Sequence, residues 1–165
     1  MVRCRPMNAR ETGLSCKQCV SMNPQRGQVI LSDPADASAL PKTFTFDGAY
    51  FMDSTTEAIY ADIVFPLVEN CLEGYNGTVF AYGQTGSGKS FSMQGPQSPP
   101  SQKGIIPRTF EHIFESMSTA ENSKYLVHAS YLEIYNEEIR DLLGLDIKQK
   151  LETKEHPDKG IYVAG

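Results

Sequence analysis

The 165-residue sequence has no run of 18 apolar residues, which excludes a helix able to cross a bilayer. Its first residues, Met1-Val2-Arg3-Cys4-Arg5-Pro6, lead into no apolar segment, so the start is not expected to act as a secretory signal. An excess of basic charge is also missing. Fifteen Lys and Arg stand against 20 Asp and Glu, a net charge of −5. Binding to DNA by bulk charge is not expected, because neutralising phosphates needs a basic surface, although an acidic protein can carry a local basic patch. Histidines are few, and the three present (His112, His128, His156) are scattered. The four cysteines include one CxxC, Cys16-Lys17-Gln18-Cys19, without a second pair or histidines at zinc-binding spacing. A thioredoxin-like site would want a strand before the pair and a helix after it. Here Ser21-Met22-Asn23-Pro24 reads as strand end and turn. The pair reads as a chance occurrence in a surface segment, with thiols kept reduced in the cytoplasm. No internal repeat or low-complexity tract is present.

What is there is a globular composition. Apolar residues make up 40% and charged residues 21%, which excludes disorder as the main state, and the length suits one domain. Residues 2–5 read as a short strand ended by Pro6. Residues 6–42 read as irregular apart from a small strand at Val29-Ile30-Leu31, and Phe44-Thr45-Phe46 as another. Ser54-Thr55-Thr56-Glu57 has capping-box spacing. Ile59, Ile63 and Leu67, with Val64, Val68 and Leu72 beside them, predict a helix over 55–72 with a kink at Pro66. Thr78-Val79-Phe80-Ala81-Tyr82 is uncharged and β-rich, as in a strand buried on both faces. A short helix should open near Ser90. A longer one resumes at Pro107, with Phe110, Ile113, Phe114 and Met117 on one face. Tyr125 to Tyr135 predicts a long strand, Asn136 to Leu143 a short helix, and 150–163 two strands about the turn 156–160. The order of elements points to an α/β layer architecture.

Gly83-Gln84-Thr85-Gly86-Ser87-Gly88-Lys89-Ser90 matches GxxxxGK[ST] at every defined position. The glycines let the loop turn its backbone N–H groups onto phosphate oxygens. Lys89 supplies a point charge for the β- and γ-phosphates, and the Ser90 hydroxyl a ligand for Mg²⁺. The helix that starts there adds the positive end of its dipole. A chance match in a chain of this length is roughly a 1% event. Hydrolysis needs more, including an Asp after an apolar strand and a group that orients water. Val29-Ile30-Leu31-Ser32-Asp33 lies upstream in an irregular stretch. Asp141-Leu142-Leu143-Gly144 reads as the apolar face of a short helix. Both are decoys. Neither a guanine-reading Asn-Lys-x-Asp nor an acceptor site for a P-loop kinase is present.

The segments Arg3-Cys4-Arg5-Pro6, Phe44-Thr45-Phe46-Asp47, the block from Gly74 to Ser90, and Tyr131 to Leu143 together resemble the kinesin motor domain. Lys148 to Glu152 and Glu155 to Gly160 are most similar to kinesin-2, its homodimeric ciliary member in particular. The resemblance implies an α/β P-loop NTPase fold with a mixed central sheet flanked by helices. Residues 1–165 would be one partial motor domain, truncated at both ends and without its C-terminal half. It implies MgATP hydrolysis coupled to microtubule binding in the complete domain, or, for a fragment, nucleotide or tubulin binding without turnover. ATP and Mg²⁺ are the implied ligands and tubulin the implied partner, with no nucleic acid and no membrane insertion. Dimerisation would use segments not in this chain. The implied location is the cytoplasm and its microtubules, the cilium included. Residues 83–90 would hold the phosphates, with Ser90 on Mg²⁺. Arg3, Arg5, Pro6 and Phe91 would contact adenine, and His156 and Lys159 would face the microtubule. The γ-phosphate switch residues would lie outside this chain. So would both ladder partners of Thr78–Tyr82. Unpaired buried backbone groups cost about 1–3 kcal/mol each, against a typical domain stability of about 5–15 kcal/mol. The isolated chain is therefore expected to fold poorly unless its strands re-pair or self-associate.

Overall fold

Residues 1–158 and 160–164 are described by a computed structural model, and they fall into two units, Met1–Ala120 and Glu121–Gly165. In the first unit, β1 (Val2–Arg3) runs parallel to β5 (Ala49–Tyr50), with Val2 beside Ala49 and Arg3 beside Tyr50. The stretch after Pro6 is more ordered than its composition suggests. It forms α1 (Ala9–Gly13), β2 (Val20–Asn23), β3 (Gln28–Leu31) and β4 (Lys42–Thr45), and the three strands make an antiparallel sheet in chain order. Helix α1 begins with a reciprocal cap. The Asn8 side chain accepts from Glu11 N at 2.9 Å, and the Glu11 carboxylate accepts from Asn8 N at 2.8 Å. Cys16 and Cys19 are exposed free thiols ahead of β2, so a full strand follows the pair rather than a strand end.

The helix expected over 55–72 is divided. Its cap is Thr55, whose hydroxyl accepts from Ala58 N at 3.1 Å, rather than Ser54. Helix α2 (Thr56–Ile59) passes through one π-helical turn (Tyr60–Val64) into α3 (Phe65–Leu72). Pro66 explains the turn. Proline has no N–H, and its ring clashes with the carbonyl four residues back, so a wider turn relieves both problems. The extra residue also rotates the buried row. Ile59, Tyr60, Val64 and Val68 are buried, whereas Leu72, expected on that face, is 40% exposed. Tyr60, Val64 and Val68 join Ile105 in the core, with Met93 and Ile113 packed against them.

His112 is a core partner rather than a ligand. Its Nε2 lies 2.8 Å from the Glu69 carboxylate, and its Nδ1 2.9 Å from the Tyr60 hydroxyl. Its ring stacks on Phe65 at 4.4 Å. Helix α4 (Lys89–Met93) is as short as expected. Helix α5 (Ile105–Thr119) starts two residues before Pro107, capped by Gly104. Its apolar face is only partly covered, with Phe110 50% and Phe114 53% exposed.

Two expected strands are not as predicted. Thr78–Tyr82 is not a strand, and Phe80 and Tyr82 stand 82% and 96% exposed. A strand buried on both faces needs ladder partners, and among the described residues none lies beside it. In the second unit only Leu132–Tyr135 (β6) of the run from Tyr125 is a strand. It turns through Asn136 and Glu137, both at positive φ (47° and 62°), into β7 (Glu138–Asp141). The helix expected from Asn136 is thus the second arm of a hairpin with a two-residue turn of the primed type, where Asn is favoured. Asp141 ends that strand, its carboxylate accepting from Leu143 N at 2.9 Å. The final hairpin, β8 (Glu152–His156) with β9 (Gly160–Ala164), matches the reading of two strands about a turn. Lys159 lies outside the described residues.

The described strands thus make four separate small sheets of two or three strands rather than one sheet, and only the β1–β5 pair is parallel. Helices and strands together give a mixed α/β content. No described helix is long and apolar enough to cross a membrane.

Candidate nucleotide site

The loop Gly83–Gly88 follows the irregular segment Thr78–Tyr82 and enters α4. Gly86 and Gly88 sit at φ +79° and +97°, where any side chain is strained. Around Gly86 a Cβ would meet nothing within 4 Å, so backbone conformation rather than space requires glycine there. The loop closes on itself through Ser87 N, which donates to Gln84 O at 3.1 Å. The Lys89 ammonium folds back over it and donates to the Gly83 and Gln84 carbonyls at 2.7 and 2.9 Å. That position holds the cation against the loop through two carbonyls, contacts that an anion could replace.

A cavity of about 520 Å³ is lined by Arg3, Arg5 and Pro6 of the N-terminal segment together with Ser87, Gly88, Lys89 and Phe91. Val79 to Tyr82 continue the lining. The structure therefore brings together the expected adenine residues and the end of the phosphate loop. Gln84, Thr85 and Ser90 are exposed beside it.

The two arginines are held by protein groups. Arg3 Nη1 donates to the hydroxyls of Thr56 and Ser92, each at 3.0 Å, and Nη2 donates to Ser54 O at 3.2 Å. Its guanidinium lies 5.5 Å from the centre of the Phe91 ring, within cation–π range. Burial pushes its pKa down from the ordinary arginine value. Arg5 Nε donates to Gly86 O at 2.7 Å, while its two terminal nitrogens grip both oxygens of Glu11 at 2.8 and 2.6 Å. The Arg5 hydrogen bond, helped by the Asn8 backbone N–H, holds the Glu11 carboxyl down at about 2.

Glu11, Asn8, Thr56 and Ser92 were not expected at the site. Asn8-Ala9-Arg10-Glu11 does carry a legible capping-box pattern. Thr56 and Ser92 carry no pattern that would have marked them.

Of the groups that could hold a metal, Ser90 offers one exposed hydroxyl. Among the described residues no cluster of three or more His, Cys, Asp or Glu could hold an ion. That donor set fits Mg²⁺, which keeps several waters and is held by one or two protein oxygens plus phosphates. A site for a softer metal would need its own cage of ligands. His156 lies at the end of β8, its Nδ1 accepting from Asp158 N at 3.1 Å, in an exposed turn.

Comparison with known proteins matches the kinesin motor domain over residues 3–165. The chain belongs to the kinesin motor domain family. Kinesin-like protein KIF3C of Bos taurus is 49% identical over 164 residues, 99% of this chain and 21% of the relative. The proteins of the same name from Pongo abelii and Mus musculus match at 49% over the same shares. The chain thus spans about one fifth of the length of these curated relatives. The phosphate loop, the Arg-x-Arg-Pro strand and the Tyr131–Leu143 segment all fall inside the matched kinesin residues.

Proposed function

We propose that this chain is the ATP-binding part of a microtubule-based motor ATPase, in which MgATP hydrolysis is coupled to microtubule binding in the complete domain. The observation that carries the reading is the cavity in which the phosphate loop faces Arg3, Arg5, Pro6 and Phe91. Residues Gly83, Gln84, Thr85, Gly86, Ser87, Gly88, Lys89 and Ser90 would cradle the phosphates through backbone N–H groups and the Lys89 charge. Ser90 would hold Mg²⁺ with the phosphate oxygens, and the ion would neutralise phosphate charge. Arg3, Arg5 and Pro6 would offer stems and ring edges to adenine from one side, and Phe91 its ring from the other. His156, at the end of β8, and Lys159 would face the acidic surface of tubulin. Within this reading residues 1–165 are a partial motor domain most like homodimeric ciliary kinesin-2. Its mixed central sheet would be completed by further chain, and dimerisation would come from other segments. The protein would work in the cytoplasm on microtubules, those of the cilium among them, and would bind neither nucleic acid nor membrane.

A second reading is favoured by the exposed, unpaired Thr78–Tyr82 segment. In it the 165 residues bind nucleotide or tubulin without turnover. Titration of a fluorescent ADP analogue with Mg²⁺ tests both. Saturable binding that Lys89→Ala abolishes is expected. Binding that survives Lys89→Ala, or no binding at all, would sink the nucleotide reading. Phosphate release stimulated by microtubules would then exclude the second reading for this chain, and binding without release would favour it.

A further inference from the structure

Arg3 at the end of β1 and Arg5 just beyond it divide their work, and Arg5 does something that a base contact does not require. All of its nitrogens are engaged by protein. Nε bonds the Gly86 carbonyl in the phosphate loop, and the terminal nitrogens bond Glu11 and the Pro6 carbonyl. Glu11 is fixed in turn. Its carboxylate caps Asn8 N while its own N–H is capped by Asn8 Oδ1. A continuous chain of hydrogen bonds therefore runs from the first turn of α1 to Gly86 of the loop. Gly86 sits there at positive φ with open space around it; the loop's other ties run from Ser87 N to Gln84 O and from Lys89 Nζ to the Gly83 and Gln84 carbonyls, and neither holds Gly86 itself. A glycine loop without such a hold samples many conformations, and ordering it on binding costs affinity.

We propose that Glu11 and Arg5 are positioning residues that preorganise the phosphate loop, with the Arg5 fork holding the Gly86 carbonyl and Glu11 holding the fork. The consequence for affinity rests on the nucleotide reading above; the hold itself does not. The partner recognised through it is the polyphosphate portion of a nucleotide, because the grip acts on the loop and not on the base. A lysine at position 5 would keep the charge but could not span Gly86 O and both Glu11 oxygens, since it lacks the planar fork.

The test uses the whole chain with Glu11→Gln and Arg5→Lys, read in two ways. Solution NMR follows the Arg5 Nε–H and the Gly86–Ser87 backbone signals without ligand. In Glu11→Gln, solvent exchange of Arg5 Nε–H is expected to rise roughly three- to tenfold, and the loop signals to shift, while the amides of Thr56–Leu72 stay unchanged. Titration with inorganic tripolyphosphate and Mg²⁺ reads the consequence. Both variants are expected to bind about tenfold more weakly than the parent. Tripolyphosphate affinity retained in Arg5→Lys would overturn the proposal, because charge alone would then suffice. Loop signals unmoved in Glu11→Gln would overturn it as well. If the parent chain binds no polyphosphate, the nucleotide reading fails, and the NMR result alone decides whether the hold exists.

Discussion

Replacing Thr56 with valine should loosen the first unit and the base side of the cavity together. Thr56 is 3% exposed, and its hydroxyl accepts one of the Arg3 Nη1 hydrogens at 3.0 Å. Valine keeps the branched shape at the start of α2 but removes the acceptor. Arg3 keeps Ser92 and the Ser54 carbonyl, so one charge-assisted hydrogen bond is lost rather than the whole set. Such a bond is worth about 1.5–3 kcal/mol when fully buried. Arg3 is only half-buried, so water recovers part of that, and the expected cost is about 1–2 kcal/mol. Because the chain forms two units, one global unfolding midpoint is not well defined. Native-state hydrogen exchange of the α2 and α3 amides reads the first unit by itself, and its opening constant should rise roughly five- to thirtyfold. The guanidinium also lies over Phe91, so freeing it should disturb that ring. MgADP should then bind more weakly while tripolyphosphate binds as before. Exchange unchanged in Thr56→Val would refute the argument that this hydroxyl anchors Arg3. Equal losses for ADP and tripolyphosphate would refute the link from Arg3 to the base.

Three further outcomes follow from the same geometry. Glu11 is ordinarily a carboxyl of pKa 4.5, held at about 2 in the folded chain. A lowered folded value means its contribution is complete above 4.5 and is lost as pH falls from there towards 2. Protection of the α1 amides, taken relative to their intrinsic exchange rates, should therefore fall across that window in the parent, and Glu11→Gln should flatten the dependence. Ile59→Ala removes a side chain only 1% exposed and should cost about 2–5 kcal/mol, read as loss of the cooperative helical melt by circular dichroism. Glu137→Gly, at φ +62° in the hairpin turn, should instead stabilise the second unit by about 1 kcal/mol. Slower exchange of the β6 and β7 amides would check it.

What could be read from the sequence was mostly what neighbours in the chain decide. The phosphate loop, the shortness of α4 and the last hairpin depend on residues within a few positions of each other, and the structure has them. The Asn8–Glu11 cap is equally local and could have been read, but the Pro- and Ser-rich surroundings hid it. A kink at Pro66 is legible in the sequence; its form as a π turn is not, because the choice between bending and widening depends on how Tyr60, Val64 and Val68 pack on Ile105. Asn136 illustrates local ambiguity. The same residue caps helices and occupies primed turns, and pairing of Tyr135 with Glu138 decides between them.

The residues of Thr78–Tyr82 have every local preference for a strand and still do not form one. β-preference describes how side chains fit a pleated surface between neighbours, and it has no effect where no neighbour is paired. The row Val79, Phe80 and Tyr82 is exposed, as are Phe110 and Phe114 on α5. The same chain nevertheless assembles the loop, the N-terminal strand and Phe91 around one cavity. That cavity is held by short links, Arg3 to Thr56 and Ser92, and Arg5 to Gly86 and Glu11. None of these links uses a hydrogen bond from Thr78–Tyr82. The geometry of the site thus depends more on the side chains of two arginines than on the sheet that local sequence preference predicts. Substitutions at Glu11 and Thr56 are accordingly expected to disturb the cavity more than substitutions of the exposed Phe80 and Tyr82.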